Sequence, residues 1–227
     1  MLTQGTFDIE PKQSFHPNLL IHFPTSDLST PHALCKLNVF YDLPRDIILD
    51  PYQLNDLEPY LGKAKIYGKV ELEVPVSEIS EKEAPSLLIS PVISTQDGQE
   101  LVEIKVPVHM RYQLPANIGE GTHESIMIKA PYVFWSCPEG VKLSEAYNVD
   151  ELAPSLLQKE YLEPTNIYPI TLSNQNITQE ILMPKGQLES EELVQNITLG
   201  CMILSFLWVV FTIVRKAIRN FRISKED

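Results

Sequence analysis

Apolar and polar residues alternate with a period of two through much of the chain. The longest run is LVEIKVPVHMRYQ, Leu101 to Gln113. It puts Val106, Val108, Met110 and Tyr112 on one side and Pro107, His109, Arg111 and Gln113 on the other. CKLNVFYDLP sets Cys35, Leu37, Val39 and Tyr41 against Lys36, Asn38 and Phe40. KIYGKVELEVP sets Ile66, Gly68, Val70, Leu72 and Val74 against Lys69, Glu71 and Glu73. NLLIHF (Asn18 to Phe23) and ESIMIKAP (Glu124 to Pro131) are shorter runs of the same kind. Successive side chains of a strand point to opposite faces, so these runs predict half-buried antiparallel strands. Asp97-Gly98 within STQDGQE predicts the tip of a hairpin, and DPYQLNDLEPYLG (Asp50 to Gly62) a short helical turn. Ser144 to Leu162 is the one other helical candidate before residue 193, and Pro154 interrupts it. The expected fold is mainly β: an antiparallel, sandwich-like domain over 16–192, preceded by a disordered lead-in over 1–15. Residues 163–192 either finish the sheet or form a stalk.

The pattern changes at Leu193. LVQNITLGCMILSFLWVVFTIV, Leu193 to Val214, runs 22 residues without a charge. As a helix it is about 33 Å long, enough for a hydrocarbon core of about 30 Å. A transmembrane helix over 193–214 is expected in preference to a buried core helix, because the run is long and ends in a basic cluster. Arg215, Lys216, Arg219, Arg222 and Lys225 follow it, against Glu226 and Asp227, while the whole chain has a net charge of -12. Lys and Arg beside a span favour the cytosol. A cytosolic tail over 215–227 and a lumenal acidic domain are therefore expected. Asn176-Ile-Thr178 and Asn196-Ile-Thr198 are N-glycosylation sequons consistent with that side. Asn196 lies at the membrane boundary, so Asn176 is the better acceptor. The stretch MLTQGTFDIEPKQSF has no apolar leader segment. A lumenal domain then implies a leader upstream of this sequence. The alternative, a tail anchor, carries five basic residues across the membrane against the charge rule.

Composition narrows the function. The acidic balance argues against nucleic-acid binding, which needs a basic footprint. Pro at 18 and Gly at 9 suggest stiff loops between short strands rather than a flexible linker. Cys35 and Cys137 precede the span, and Cys201 lies inside it. In an oxidising lumen the first two form either a bridge or two buried free thiols; their spacing does not decide. The histidines, His16, His22, His32, His109 and His123, have no metal-ligand spacing, and no Cys-x-x-Cys is present. The sequence has no dinucleotide fingerprint, phosphate loop, Asp-x-Asp or nucleophile elbow. Glu71-Leu-Glu73 and Glu81-Lys-Glu83 read as a solvated strand face and a charged loop. No cofactor, metal or catalytic group is expected.

His109 and Arg111, two residues apart, are expected on one strand face. One reading is a contact site, with the guanidinium forked onto a carboxylate or phosphate and His109 orienting it. The favoured reading is an ordinary outer face, with Arg111 paired to a cross-strand acid.

The order NLLIHF, CKLNVFYDLP, DPYQL, VPVHMRYQLP and APYVFWSCPE, closed by a C-terminal span, resembles the PIG-X family. The most specific piece is Pro107, Val108, His109, Arg111 and Tyr112 with Pro115 following. Asp50-Pro51-Tyr52 and the placing of Cys35 and Cys137 agree. The resemblance covers about Phe15 to Glu139 plus the span, and is weak from Ser144 to Glu192. It implies a non-catalytic, single-span accessory subunit of glycosylphosphatidylinositol (GPI) mannosyltransferase I in the endoplasmic reticulum. Its implied partner is PIG-M, the multispanning subunit that adds the first mannose to the GPI precursor. Pro107, His109, Arg111 and Tyr112 then mark a family signature or a partner contact. The alternative is an adhesion or receptor-like ectodomain on a single span.

Overall fold

A computed structural model describes residues 5–24, 33–92, 101–138, 165–174 and 177–223. The predicted Asp97-Gly98 hairpin tip, the helical candidate over 144–162 and Asn176 lie outside the described residues.

The chain divides into two compact units. The first takes Met1–Leu114 and His123–Lys185, the second Pro115–Thr122 and Gly186–Asp227. The first unit is built of antiparallel strands. β1 (Thr6–Glu10), β2 (Asn18–Pro24) and β7 (Leu101–Pro107) form one sheet in the order β1-β2-β7. A five-stranded sheet follows the order β11-β10-β3-β6-β5, from β3 (Lys36–Asp42), β5 (Ala64–Tyr67), β6 (Ser86–Ile89), β10 (Tyr132–Pro138) and β11 (Thr165–Ile170). Two small ladders complete it: β4 (Ile47–Ile48) with β8 (His109–Met110), and β9 (His123–Ile128) with β12 (Gln179–Pro184).

The alternation does what the pattern predicts in β2, β3 and β7, and β10, outside the predicted runs, packs in the same way. Ile21 and Phe23, Val39 and Tyr41, Ile104 and Val106, and Val133 and Trp135 all join one core between the sheets. Each such side chain contributes about 1.5–3 kcal/mol on burial. The back of the five-stranded sheet carries a second cluster, Phe40, Leu88, Phe134 and Ile167. Asn38 shares that side of β3. Its amide donates to Ser136 Oγ (2.7 Å) and its carbonyl accepts from Ser90 Oγ (2.7 Å), which satisfies a buried polar group.

Asp50 starts the predicted helical turn. Its side chain accepts from Tyr52 N and Gln53 N, and Pro51 occupies the first helical position of α1 (Pro51–Asp56). A second turn, α2 (Glu58–Leu61), follows it.

Two expectations are corrected, and of the two readings of 163–192 the sheet is the one found. The lead-in is not disordered throughout: Thr6–Glu10 pairs with β2 along its whole length, and Phe7 and Ile9 are buried. Residues 165–170 and 179–184 are strands that complete the sheets rather than a stalk. The KIYGKVELEVP run stops being a strand at Tyr67. Gly68 takes φ +84°, where a Cβ would run into the Ala84 carbonyl, and the chain from Lys69 to Pro75 is irregular.

In the second unit, α3 runs Glu191–Ile223, 33 residues. Leu188–Arg219 is long and apolar enough to cross a membrane, and its large side chains, Leu204, Phe206, Trp208 and Phe211 among them, are exposed. The helix continues past Val214, so Arg215, Lys216 and Arg219 are helical.

Candidate functional site

The signature stretch Lys105 to Pro115 changes its neighbours partway along. Through Pro107 it pairs with β2, Pro107 opposite Asn18. Proline has no N–H to give a ladder, and from here the chain bonds to other segments. Val108 N donates to Pro17 O (3.0 Å) and Met110 N to Phe15 O (2.9 Å). On the other edge, Ile48 and Ile47 pair with His109 and Met110. Arg111 N then donates to Asp46 O (2.7 Å), and the pleat ends.

That ending corrects the predicted faces. Met110 and Arg111 are both buried and Tyr112 is exposed, so the alternation slips by one residue between Met110 and Arg111. Arg111 therefore does not share an outer face with His109, and Tyr112 does not join Val106 and Val108 inside. Arg111 is 1% exposed. Its Nη1 donates to the carbonyl oxygens of Glu71 (2.7 Å) and Val74 (2.8 Å), and its Nη2 to that of Lys69 (3.4 Å). The expected cross-strand acid is replaced by backbone. The irregular segment after Gly68 wraps the guanidinium and leaves its carbonyls for the fork, which has enough donors for all three. Burial lowers the Arg111 pKa, and the nearby carboxylates of Glu71 and Asp46 oppose that shift. A guanidinium stays charged throughout. Gln113 closes the corner, with its amide donating to Asp46 Oδ1 (3.0 Å) and to Arg111 O (3.2 Å).

His109 points the other way and is half-buried. Its Nε2 meets Gln53 Oε1 on α1 at 3.0 Å and its Nδ1 meets His16 Nδ1 at 2.8 Å, with the two rings edge to face. One arrangement of protons satisfies both contacts with neutral rings: His109 Nε2–H donates to Gln53, and His16 Nδ1–H donates to His109 Nδ1. A second proton would place two N–H groups against each other. Burial first, and His16 second, lower the His109 pKa, with Asp50 opposing. Tyr112, 78% exposed, leans on Phe15 with ring centroids 5.1 Å apart. Pro107 lines an open groove of about 330 Å³ with Asn18, Leu57, Tyr60, Leu61 and Val102.

His16, Phe15, Gln53 and the carbonyls of Lys69, Glu71 and Val74 were not candidates from the sequence. The pair Phe15-His16 lies in a stretch with no period, and carbonyls leave no mark in a sequence. The signature thus divides by role. Arg111 ties a loop to the sheet, while His109 and Tyr112 remain reachable from outside. Among the described residues no three metal-ligating side chains converge.

Cys35 and Cys137 are bonded, at the register position next to the Lys36–Ser136 pair of β3 and β10. Cys201 is a free thiol on the exposed surface of α3. Asn196 sits in the first turns of α3.

Comparison with known sequences identifies a family. The profile of the PIG-X / PBN1 family matches residues 12–214. Protein pbn1 of Neurospora crassa is 27% identical over 210 residues, covering 86% of this chain and 40% of the relative. Protein pbn1 of Schizosaccharomyces pombe is 25% identical over 219 residues, covering 93% and 58%. The human protein named GPI alpha-1,4-mannosyltransferase I, stabilizing subunit, is 26% identical over 200 residues, covering 85% and 73%. The chain spans about half the length of these two fungal relatives. With a match across nearly its whole length, the chain belongs to the PIG-X / PBN1 family.

Proposed function

We propose that this chain is a non-catalytic stabilising subunit of GPI mannosyltransferase I. Its partner is a multispanning, PIG-M-type mannosyltransferase that adds the first mannose to the GPI precursor. The observation that carries the reading is the family match, joined to mammalian relatives named for that stabilising role. The structure suits it physically. A β unit closed by a disulfide supplies a firm surface, and α3 presents apolar side chains on all sides that need lipid or a neighbouring helix to cover them. Tyr112 and His109 on the signature stretch are the contact residues proposed for the partner's lumenal loops.

In this reading the lumenal domain extends to residue 192 and includes β1, residues 193–214 cross the endoplasmic reticulum membrane once, and 215–227 are cytosolic. The basic residues after the span support that orientation. The Cys35–Cys137 bridge supports an oxidising compartment. Asn176 carries the glycan, and Asn196 is too near the bilayer to be modified. The subunit binds no cofactor and no small substrate of its own.

Affinity purification of the full chain from mild detergent tests the partnership. A multispanning mannosyltransferase should co-purify, and deletion of the gene should lower both that enzyme and surface GPI-anchored proteins. Normal levels of both in the deletion strain would refute the proposal. An endoglycosidase H-sensitive glycan on Asn176 is the expected sign of lumenal residence in the endoplasmic reticulum; an unmodified Asn176 facing cytosolic protease would overturn the orientation.

A further inference from the structure

The second unit joins a short turn to the root of α3. Ala116 and Gln187 form a parallel bridge. Ala116 N donates to Gly186 O (2.7 Å) and Leu188 N to Ala116 O (3.2 Å), and Ala116 itself is 2% exposed. Because the bridge is parallel, the chain leaving Ala116 runs in the same direction as the chain leaving Gln187. The latter leads into the charge-free run. The former reverses at Gly119, whose φ of +85° suits glycine. The turn is closed by Glu120 N on Asn117 O (3.0 Å), and by the Glu120 carboxylate on Asn117 N (2.8 Å) and Nδ2 (3.1 Å). Ile118 is left at the tip, 79% exposed.

We infer that the turn Pro115–Thr122 is a second membrane contact, with Ile118 seated in the interfacial layer of the leaflet where α3 enters. The reach fits. Two extended residues from Ala116 to Ile118 advance about 7 Å. Gln187 is extended, Leu188–Ser190 is a 3-10 turn and α3 begins at Glu191, so the chain from Gln187 to Leu193 advances about 12 Å. The tip therefore lies about 5 Å short of Leu193, on the water side of the first apolar turn of α3. The interfacial layer on each side of the hydrocarbon is about 5–7 Å deep, so a side chain at that level meets acyl chains and glycerol rather than bulk water. The chemistry fits as well. The turn contains no Lys or Arg to seek anionic headgroups, and its only acid is already bonded to Asn117. Its occupant is thus the zwitterionic phospholipid interface, held by apolar contact. A single helix is free to rotate about its axis. A turn fixed to its root and seated beside it removes that freedom, and so sets which side of α3 faces a partner.

The inference rests on α3 crossing the membrane, and the experiment separates the two claims. The full chain carries Cys201→Ala, leaving Cys35 and Cys137 bonded and unreactive. A nitroxide is placed at Ile118→Cys, Leu204→Cys or Tyr52→Cys, one at a time, in phosphatidylcholine nanodiscs. Spin relaxation by oxygen and by a water-soluble nickel chelate then reports depth. The label at 118 should favour oxygen, at a depth shallower than the label at 204, while the label at 52 favours the chelate. A 118 label that behaves like the one at 52, while 204 reads as deep, overturns the inference alone. A 118 label shielded from both reagents means protein covers the tip, which overturns it too. A 204 label open to the chelate removes the span itself, and the inference falls with it.

Discussion

Replacing Arg111 by Ala should destabilise the β unit and loosen one loop in particular. The side chain is 1% exposed and makes two short bonds, to Glu71 O and Val74 O, and one long bond, to Lys69 O. Hydrogen bonds from a charged donor contribute about 1.5–3 kcal/mol each. Two of them give about 3–6 kcal/mol. Two effects reduce the loss. The loop is exposed at Glu71 and Leu72, so water can reach the abandoned carbonyls, and a buried guanidinium with no directly bonded carboxylate no longer has to be desolvated. The net loss is about 2–4 kcal/mol, a drop in Tm of about 5–15 °C for a chain of this size. Arg111→Lys should recover only part of it, because an ammonium cannot fork to both carbonyls at once. Thermal unfolding of the full chain in detergent measures the global effect. Limited trypsinolysis measures the local one, since cleavage after Lys69 should accelerate well before the rest of the domain opens. An Arg111→Ala protein with wild-type Tm and an undisturbed Lys69 would refute the role given to this side chain.

Tyr112→Ala removes an exposed ring whose ring contact among the described residues is Phe15, so it should change stability by no more than about 1 kcal/mol while reducing co-purification of the mannosyltransferase; unchanged recovery would remove Tyr112 from the proposed contact. His109 has its pKa lowered by burial and by His16. The unfolded chain then takes up a proton at higher pH than the folded one, so this contribution is intact above about pH 6.5 and is lost as pH falls towards the lowered value. His109→Gln should flatten that part of the pH–stability curve, and parallel curves for the two proteins would count against the paired-ring arrangement. Removing the Cys35–Cys137 bridge, which closes a separation of 102 residues, should cost about 4–5 kcal/mol by chain entropy; a double Cys→Ala protein within 1 °C of wild type in thermal melts would contradict this.

Much of the sheet was legible because a strand facing a core must alternate, and β2, β3 and β7 do. The span was legible because length and lack of charge suffice. Three features were not, each for its own reason. β1 is five residues long, with Asp8 between its two buried side chains and Glu10 after them, too short for a period to stand out. Val70, Leu72 and Val74 do alternate, but a period without a ladder partner is only arithmetic, and the backbone there turns its carbonyls to Arg111 instead. Arg111 itself inherits the outer face if the pleat continues to Tyr112. The pleat stops because Arg111 N bonds to Asp46 O, a partner 65 residues upstream that no local pattern announces. The signature was therefore recognisable as a motif before the division of labour inside it could be read. Its arginine faces inward, and its histidine and tyrosine do not.

The bond between Cys35 and Cys137 makes the intervening chain a covalent ring. Pro107, His109, Arg111 and Tyr112, α1 and the loop held by Arg111 all lie on that ring, while α3 lies outside it on the C-terminal side. A protease that cuts once between these cysteines opens the ring but releases nothing, and every piece stays attached to the membrane helix. On a gel such a nicked protein separates into fragments only after reduction. Cleavage after Cys137, by contrast, removes every covalent link between the ring and its anchor in one step.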